Sequence, residues 1–273
     1  MKKSRIALAA AGLALAVVVS GCASTAPAGE EKPDAAEPTV LKVAAVTSPM
    51  TDVVEAAGEA IEDGYEVELV EVGDYITSNT ILNAGDVYAN FSQHIPYMEA
   101  FNAGNDGDLV GVQPVYNFVI AFYSKALDDI ADLPEGATVA IPDDPSNTGR
   151  ALKLLAAHDV ITLDESVDPY EATVKDVVEN PKNIEFLQVP IASLNAAYEE
   201  ADLVFQWPSH IIALGLTPQE DGLITELDDR FALNLVVKQK DAESEATEAL
   251  KKAFTSDAVR EVIESNGTIE TAW

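Results

Sequence analysis

Pro145-Ser146-Asn147-Thr148-Gly149-Arg150 opens a stretch of helical spacing that runs to His158. Backbone N–H groups at a helix start point outward with partial positive charge and attract anions. Arg150, one turn in, adds a planar fork that meets a carboxylate through two parallel hydrogen bonds, a geometry lysine cannot supply. The same residues have a plainer use: Ser146 or Asn147 can cap the helix, and Arg150 can pair with a surface acid. Asn234 stands inside the apolar run Phe231-Ala232-Leu233-Asn234-Leu235-Val236-Val237. An amide there needs partners, from a ligand or from neighbouring backbone. Tyr75, Phe91, His94, Tyr97, Tyr116 and Phe118 are rings that can line an apolar, polarisable pocket. His94 and Tyr97, three apart beside Pro96, share one side of a predicted helix start, whereas His158 and His210 have no such company and read as structural.

The elements that position these residues follow from hydrophobic period. Leu41–Val46 reads as a buried strand, Asp52–Ile61 as a helix, and Tyr65–Val72 alternates as a half-exposed strand does. Ile76–Leu82 is helical, Asp86–Phe91 a short strand, and Tyr97–Phe101 starts another helix. Leu109–Tyr116 and Phe118–Tyr123 are two β-rich runs in succession. Thr138–Ile141, Ile184–Val189 and Ala201–Phe205 are predicted strands, with helices over Asn147–His158 and Ile191–Glu199. The β-rich run Phe231–Val237 is followed by an amphipathic helical tail over Ala242–Ser265. Strands alternating with helices predict an α/β fold with parallel sheets.

The N-terminus sets the compartment. Lys2, Lys3 and Arg5 precede an apolar run, Ile6–Val19. As a helix those residues span about 21 Å, short of the roughly 30 Å hydrocarbon core, so the run reads as a cleaved export signal. It ends in Val19-Ser20-Gly21-Cys22, which resembles a bacterial lipobox, whose cysteine is acylated and becomes the mature N-terminus. Cys22 is the only cysteine, so no intramolecular disulfide forms. Residues 23–38 carry no large apolar side chain and predict a flexible tether. About 235 residues remain, enough for one large domain or two modest lobes.

The charge balance, 16 basic against 47 acidic residues for a net −31, repels phosphate backbones and disfavours nucleic acid as a partner. Anionic headgroups are repelled too, so membrane attachment rests on the acyl group. Enzyme chemistry finds little support. There is no Gly-x-Ser-x-Gly elbow, no Gly-rich phosphate loop, and three scattered histidines make no metal-ligand set.

Several collinear segments resemble the NlpA/MetQ-type methionine-binding lipoproteins, a branch of the type II periplasmic binding proteins. They are Asp74-Tyr75, the stretch from Ala89 to Tyr97 with its Gln93-His94-Ile95-Pro96-Tyr97, Asp143 to Arg150, and Asp176 to Asn183. Gly215-Leu216-Thr217-Pro218, Asn234-Leu235 and the closing Trp273 continue the match. The resemblance implies two α/β lobes with ligand in the cleft between them, crossing strands near Tyr116–Ser124 and Phe231–Lys238, and no cofactor. It divides the chain into signal and lipobox (1–22), tether (23–38), a first lobe (39–118 and 237–273) and a second (119–236).

A free amino acid in a dry cleft needs its carboxylate, ammonium and side chain all satisfied. The resemblance implies carboxylate binding by Asn147 and Arg150, and ammonium binding by Asn234. It implies a side-chain pocket of Tyr75, Phe91, Ser92, His94, Tyr97, Tyr116 and Trp207. Three positions depart from the family pattern: Phe91-Ser92 reverses a small–aromatic order, Gln206-Trp207 stands where many members have asparagine, and Ala232 replaces a tyrosine. The implied function is a monomeric lipoprotein on the extracytoplasmic side of the cell membrane, anchored through Cys22. It would pass a small amino acid, methionine first, to the permease and ATPase subunits of an ABC importer. D-methionine, a methionine dipeptide or another amino acid are the alternative ligands; an adhesin-like surface lipoprotein is the alternative role.

Overall fold

The computed structural model describes residues 37–273, so the expected export signal, Cys22 and the tether as far as residue 36 lie outside the described residues. The chain runs β1 (Thr39–Ala45), α1 (Met50–Ala60), β2 (Tyr65–Glu71), α2 (Tyr75–Ala84), β3 (Ala89–His94), α3 (Ile95–Asn105) and β4 (Leu109–Phe118). It continues through β5 (Ile120–Tyr123), β6 (Thr138–Pro142), α4 (Pro145–Ala157), β7 (Thr162–Leu163), β8 (Val177–Glu179), β9 (Glu185–Val189) and α5 (Leu194–Ala197). Then come β10 (Leu203–Gln206), α6 (Pro208–Ile211), α7 (Pro218–Asp221), β11 (Ile224–Glu226), β12 (Leu233–Lys238), α8 (Glu245–Phe254), α9 (Asp257–Asn266) and β13 (Ile269–Thr271).

Two sheets result. The first has the order β13-β4-β12-β3-β1-β2 and the second β11-β5-β10-β6-β9, while β7 and β8 form a small separate hairpin. Each sheet has a parallel part, β3-β1-β2 in one and β10-β6-β9 in the other. Each is extended by antiparallel strands: β12, β4 and β13 in the first, β5 and β11 in the second. The expected all-parallel sheets are therefore mixed. Strand–helix alternation reports the βαβ units and is blind to strands that enter a sheet from a distant part of the chain.

The chain passes between sheets twice, at Val119 and between Glu226 and Leu233. β12 pairs with β3 and β4 along its length, so Leu233–Val236, grouped with the second lobe on sequence, hydrogen-bond in the first sheet. Central strands are buried on both faces: Val43, Ala44 and Ala45 of β1 and Leu235, Val236 and Val237 of β12 are fully enclosed. β2 is an edge strand of alternating exposure, as its period predicts.

Local signals explain the helix boundaries. Asp74 accepts the Thr77 N–H at 2.7 Å to start α2, and Gly85 ends it at φ +85°. The expected single tail helix over 242–265 is two helices. Ser244 caps the first, and Ser256 accepts the Val259 N–H at 3.4 Å to restart the chain as α9. Periodicity alone does not see such a break, because both helices bury a face against the same sheet. The helix expected over Ile191–Glu199 shrinks to a 3₁₀ turn and the short α5, and the strand expected at Asp86–Phe91 is displaced to β3.

Candidate functional site

The carboxyl end of β3, the starts of α2 and α4 and the turn after β10 converge on one cavity. Tyr75, Ser92, Gln93, His94, Tyr97, Tyr116, Phe118 and Leu233 line it from the first sheet's elements, and Asn147, Ile191, Trp207, Pro208 and Ser209 from the second's. Pro49, Met50 and Ile269 complete the lining. Of the sequence-predicted residues, Tyr75, Ser92, His94, Tyr97, Tyr116, Asn147 and Trp207 are thus brought together.

The residues of β3 divide between the cavity and the core. Ser92 faces the cavity, its hydroxyl 2.8 Å from that of Ser78. Phe91 points the other way into the core, edge-on to Tyr116 at 5.5 Å and to Phe254 at 5.2 Å. It backs the cavity wall without lining it. Gln93 is locked by Asn79 and Asn90 in a buried amide network: Asn79 donates to Gln93 Oε1 at 2.7 Å, and Asn90 donates to Asn79 Oδ1 at 2.8 Å. Such satisfied networks rigidify a wall.

His94 ends β3 and caps α3. Its Nδ1 accepts the Tyr97 N–H at 3.2 Å, so Nε2 carries the proton and donates to Asn147 Oδ1 at 3.0 Å. Burial, reinforced by the positive charge of Arg150, pushes the imidazole down to about 3, and it is neutral. Asn147 is held for this contact from behind, its Nδ2 donating to both carboxylate oxygens of Asp144 at 3.0 Å. Asp144 is the true cap of α4, accepting the Asn147 N–H at 3.0 Å and the Ser146 hydroxyl at 2.8 Å. Ser146 and Asn147, the caps considered on sequence, donate to it instead.

Arg150 is fully buried rather than paired with a surface acid. Its Nε donates to Glu226 Oε2 at 2.9 Å, and Lys153 holds the other oxygen of Glu226 at 3.0 Å. The guanidinium lies over the Phe231 ring at 4.0 Å and 5.4 Å from that of Phe118. Both Nη atoms are buried without a hydrogen-bond partner. An unmatched buried donor costs about 1–3 kcal/mol, and more when charged. Two on one guanidinium are placed so that an anion with two acceptor oxygens can satisfy both. Arg150 does not itself line the cavity; Phe118, whose ring lies 5.4 Å from the guanidinium, does. Gly149 must be glycine, because a Cβ there would collide with the Tyr170 carbonyl.

Trp207 caps the second-lobe side, edge-on to Phe205 at 5.2 Å and 8% exposed. Its neighbour Gln206 is buried and outside the cavity. Asn234 also stands apart. A bulge separates it from Leu235, and it opens on a neighbouring cleft with Pro114, Tyr170, Arg230 and Phe231, its Nδ2 donating to the Ala232 carbonyl at 2.9 Å. Glu226 and Leu233 carry no signal of a site in the sequence, and Gln93 stands in the Gln93–Tyr97 segment without a role of its own. Among 47 acids nothing marks the one that holds the arginine.

The family model for NlpA lipoprotein matches residues 41–272. The D-methionine-binding lipoprotein MetQ of Escherichia coli K12 is 33% identical over 247 residues, covering 88% of this chain and 91% of that protein. A nutrient binding protein from Burkholderia cenocepacia, solved bound to methionine, superposes with a TM-score of 0.81 at 30% identity, over 85% of this chain and all of that one. The crystal structure of the methionine binding protein MetQ matches with the same TM-score at 32% identity, over 87% of this chain and 99% of that chain.

Proposed function

This chain belongs to the NlpA lipoprotein family, and from that premise we propose that it captures methionine outside the cytoplasm and delivers it to an ABC importer. The observation that carries this reading is the buried Arg150 fork with two free Nη donors beside a cavity of aromatic rings. The fork suits a carboxylate; Tyr75, Tyr97, Tyr116 and Phe118 suit a thioether, with sulfur–aromatic contacts of about 0.3–1.5 kcal/mol each. The relatives named for methionine support the same ligand. Tyr75, Ser92, His94, Tyr97, Tyr116, Asn147 and Trp207 surround the side chain and Arg150 takes the carboxylate. Phe91 supports Tyr116 from behind, and Asn234 serves from the adjacent cleft.

The role is binding and not catalysis. His94, the one imidazole in the lining, spends both nitrogens on Tyr97 and Asn147 and has no lone pair to act as a base. The first lobe is 39–118 with 233–273 and the second 119–232, because β12 lies wholly within the first sheet. Closure of such lobes about two connections is a common response to ligand.

Competition calorimetry on ligand-free protein tests the ligand. L-methionine is expected to bind at least tenfold tighter than norleucine, glutamine or cystine. A tighter polar ligand would reject methionine, and a D-methionine preference would agree with the name of the Escherichia coli relative. A missing methylene in an apolar pocket is worth only about 1–3 kcal/mol, so such shifts need no change of fold.

The anchor is acyl-Cys22, on the extracytoplasmic face. No helix among the described residues is long and apolar enough to cross a membrane. The wild-type protein is expected in the membrane fraction with an acyl mass increment on Cys22, and Cys22→Ala in the soluble fraction. A soluble wild type beginning at another residue would refute the lipobox.

A further inference from the structure

His210 carries no signal in the sequence, yet its Nε2 lies 2.6 Å from the Tyr75 hydroxyl. The two residues belong to different halves of the molecule. Tyr75 is the first residue of α2, which packs on the first sheet; His210 is in α6, directly after β10 of the second. The rings also meet edge-on at 6.0 Å, and Tyr75 in turn meets Tyr97 edge-on at 6.4 Å. Tyr75 lines the cavity and His210 does not.

A chain of hydrogen bonds fixes the histidine. Asn195 donates to the His210 carbonyl at 2.8 Å, Gln206 donates to Asn195 Oδ1 at 2.8 Å, and the Trp207 N–H returns to Gln206 Oε1 at 2.9 Å. The fully buried Gln206 thus has a use, although it never reaches the cavity. It ties the end of β10 to the helix that presents His210.

We propose that His210 is a positioning residue: a latch that hydrogen-bonds Tyr75 across the cleft and holds the two lobes closed over the cavity, with Gln206 and Asn195 as its brace. This rests on the reading that the cavity takes a ligand between lobes. A bond that exists only in the closed form contributes wholly to closure, because a ligand can exploit only differences between the two states. Tyr75 is then a gate as well as a wall, and its ring is placed by a residue that touches no ligand.

Four variants decide this: His210→Phe keeps the ring and loses the bond, His210→Gln keeps a hydrogen-bonding tip, Tyr75→Phe removes the hydroxyl, and the fourth combines Tyr75→Phe with His210→Phe. Two readouts are used on each variant, after a thermal melt establishes that it folds. With L-methionine as the probe, His210→Phe and Tyr75→Phe are each expected to raise Kd roughly 3- to 10-fold, mainly through faster dissociation, as loss of one hydrogen bond implies. The double variant should be no weaker than either single one, and His210→Gln should recover most of the loss. In the absence of ligand, small-angle scattering should show a larger radius of gyration for His210→Phe than for wild type. Independent, multiplying losses, or a His210→Phe protein that binds and scatters as wild type does, would overturn the latch. If wild type fails to bind L-methionine, the functional reading falls, and the ligand-free scattering still decides the latch.

Discussion

Arg150→Lys is expected to weaken methionine binding by about 1.5–3 kcal/mol, roughly 10- to 150-fold in Kd, the worth of a charge-assisted hydrogen bond. Lysine keeps the charge and loses the fork. The ammonium also cannot satisfy Glu226 through Nε while offering two further donors in one plane, as the guanidinium can. Arg150→Met goes further. It leaves Glu226, only 10% exposed at its side chain, with Lys153 alone, and breaking a buried pair typically costs 3–5 kcal/mol of stability. Calorimetry separates the two effects from a urea titration run in parallel. Wild-type affinity in Arg150→Lys would remove the carboxylate from this residue.

The second large effect is on pH. His94 is held neutral in the native state, down to about 3, while in the unfolded chain it titrates near its ordinary 6.5. Below that value the unfolded chain binds a proton that the native state refuses. Stability is therefore present above about pH 6.5 and is lost progressively as pH falls toward 3. At pH 5 the loss from this residue alone approaches about 2 kcal/mol. His94→Asn keeps a capping acceptor for α3 and removes the titration. Wild type and variant should converge in urea stability between pH 6.5 and 5, a window that ends before most carboxylates titrate. A constant difference across it would show that His94 takes up its proton as readily in the native state as in the unfolded chain.

Much of this site was readable in advance because its signals are local. The segment Pro145 to Arg150 announces a helix start with a fork one turn in, and the structure places Asn147 and Arg150 there with only the cap reassigned, to Asp144. His94 and Tyr97, with Pro96 between them, mark the junction of β3 and α3 and do share the cavity. Phe91 is turned from the cavity for a reason of period. One residue decides which face of a strand a side chain takes, and the reversed pair Phe91-Ser92 puts the aromatic into the core and the hydroxyl into the pocket. Asn234 depends on a bulge that no single-chain pattern reveals. Glu226 and His210 act through partners 76 and 135 residues away, which is where local reasoning ends. The fold shows the same division: helices and parallel strands follow from period, while β11, β12 and β13 take their places through pairings distant in sequence.

The position of β12 has a consequence for how the protein is made. In the first sheet it lies between β4 and β3, and it is contributed by residues 233–238, after the whole second sheet has been laid down. As the exported chain emerges N-terminus first, residues 120–226 can complete their own sheet while β3 and β4 still present open edges to each other across a missing strand. Those edges are long-range pairings with the loop-closure cost that slows folding and exposes intermediates to aggregation. A chain halted near residue 230 would therefore carry a finished second lobe and a first lobe in two halves. The last forty residues act as a late clasp: β12 zips the halves together, and α8, α9 and β13 cover the seam.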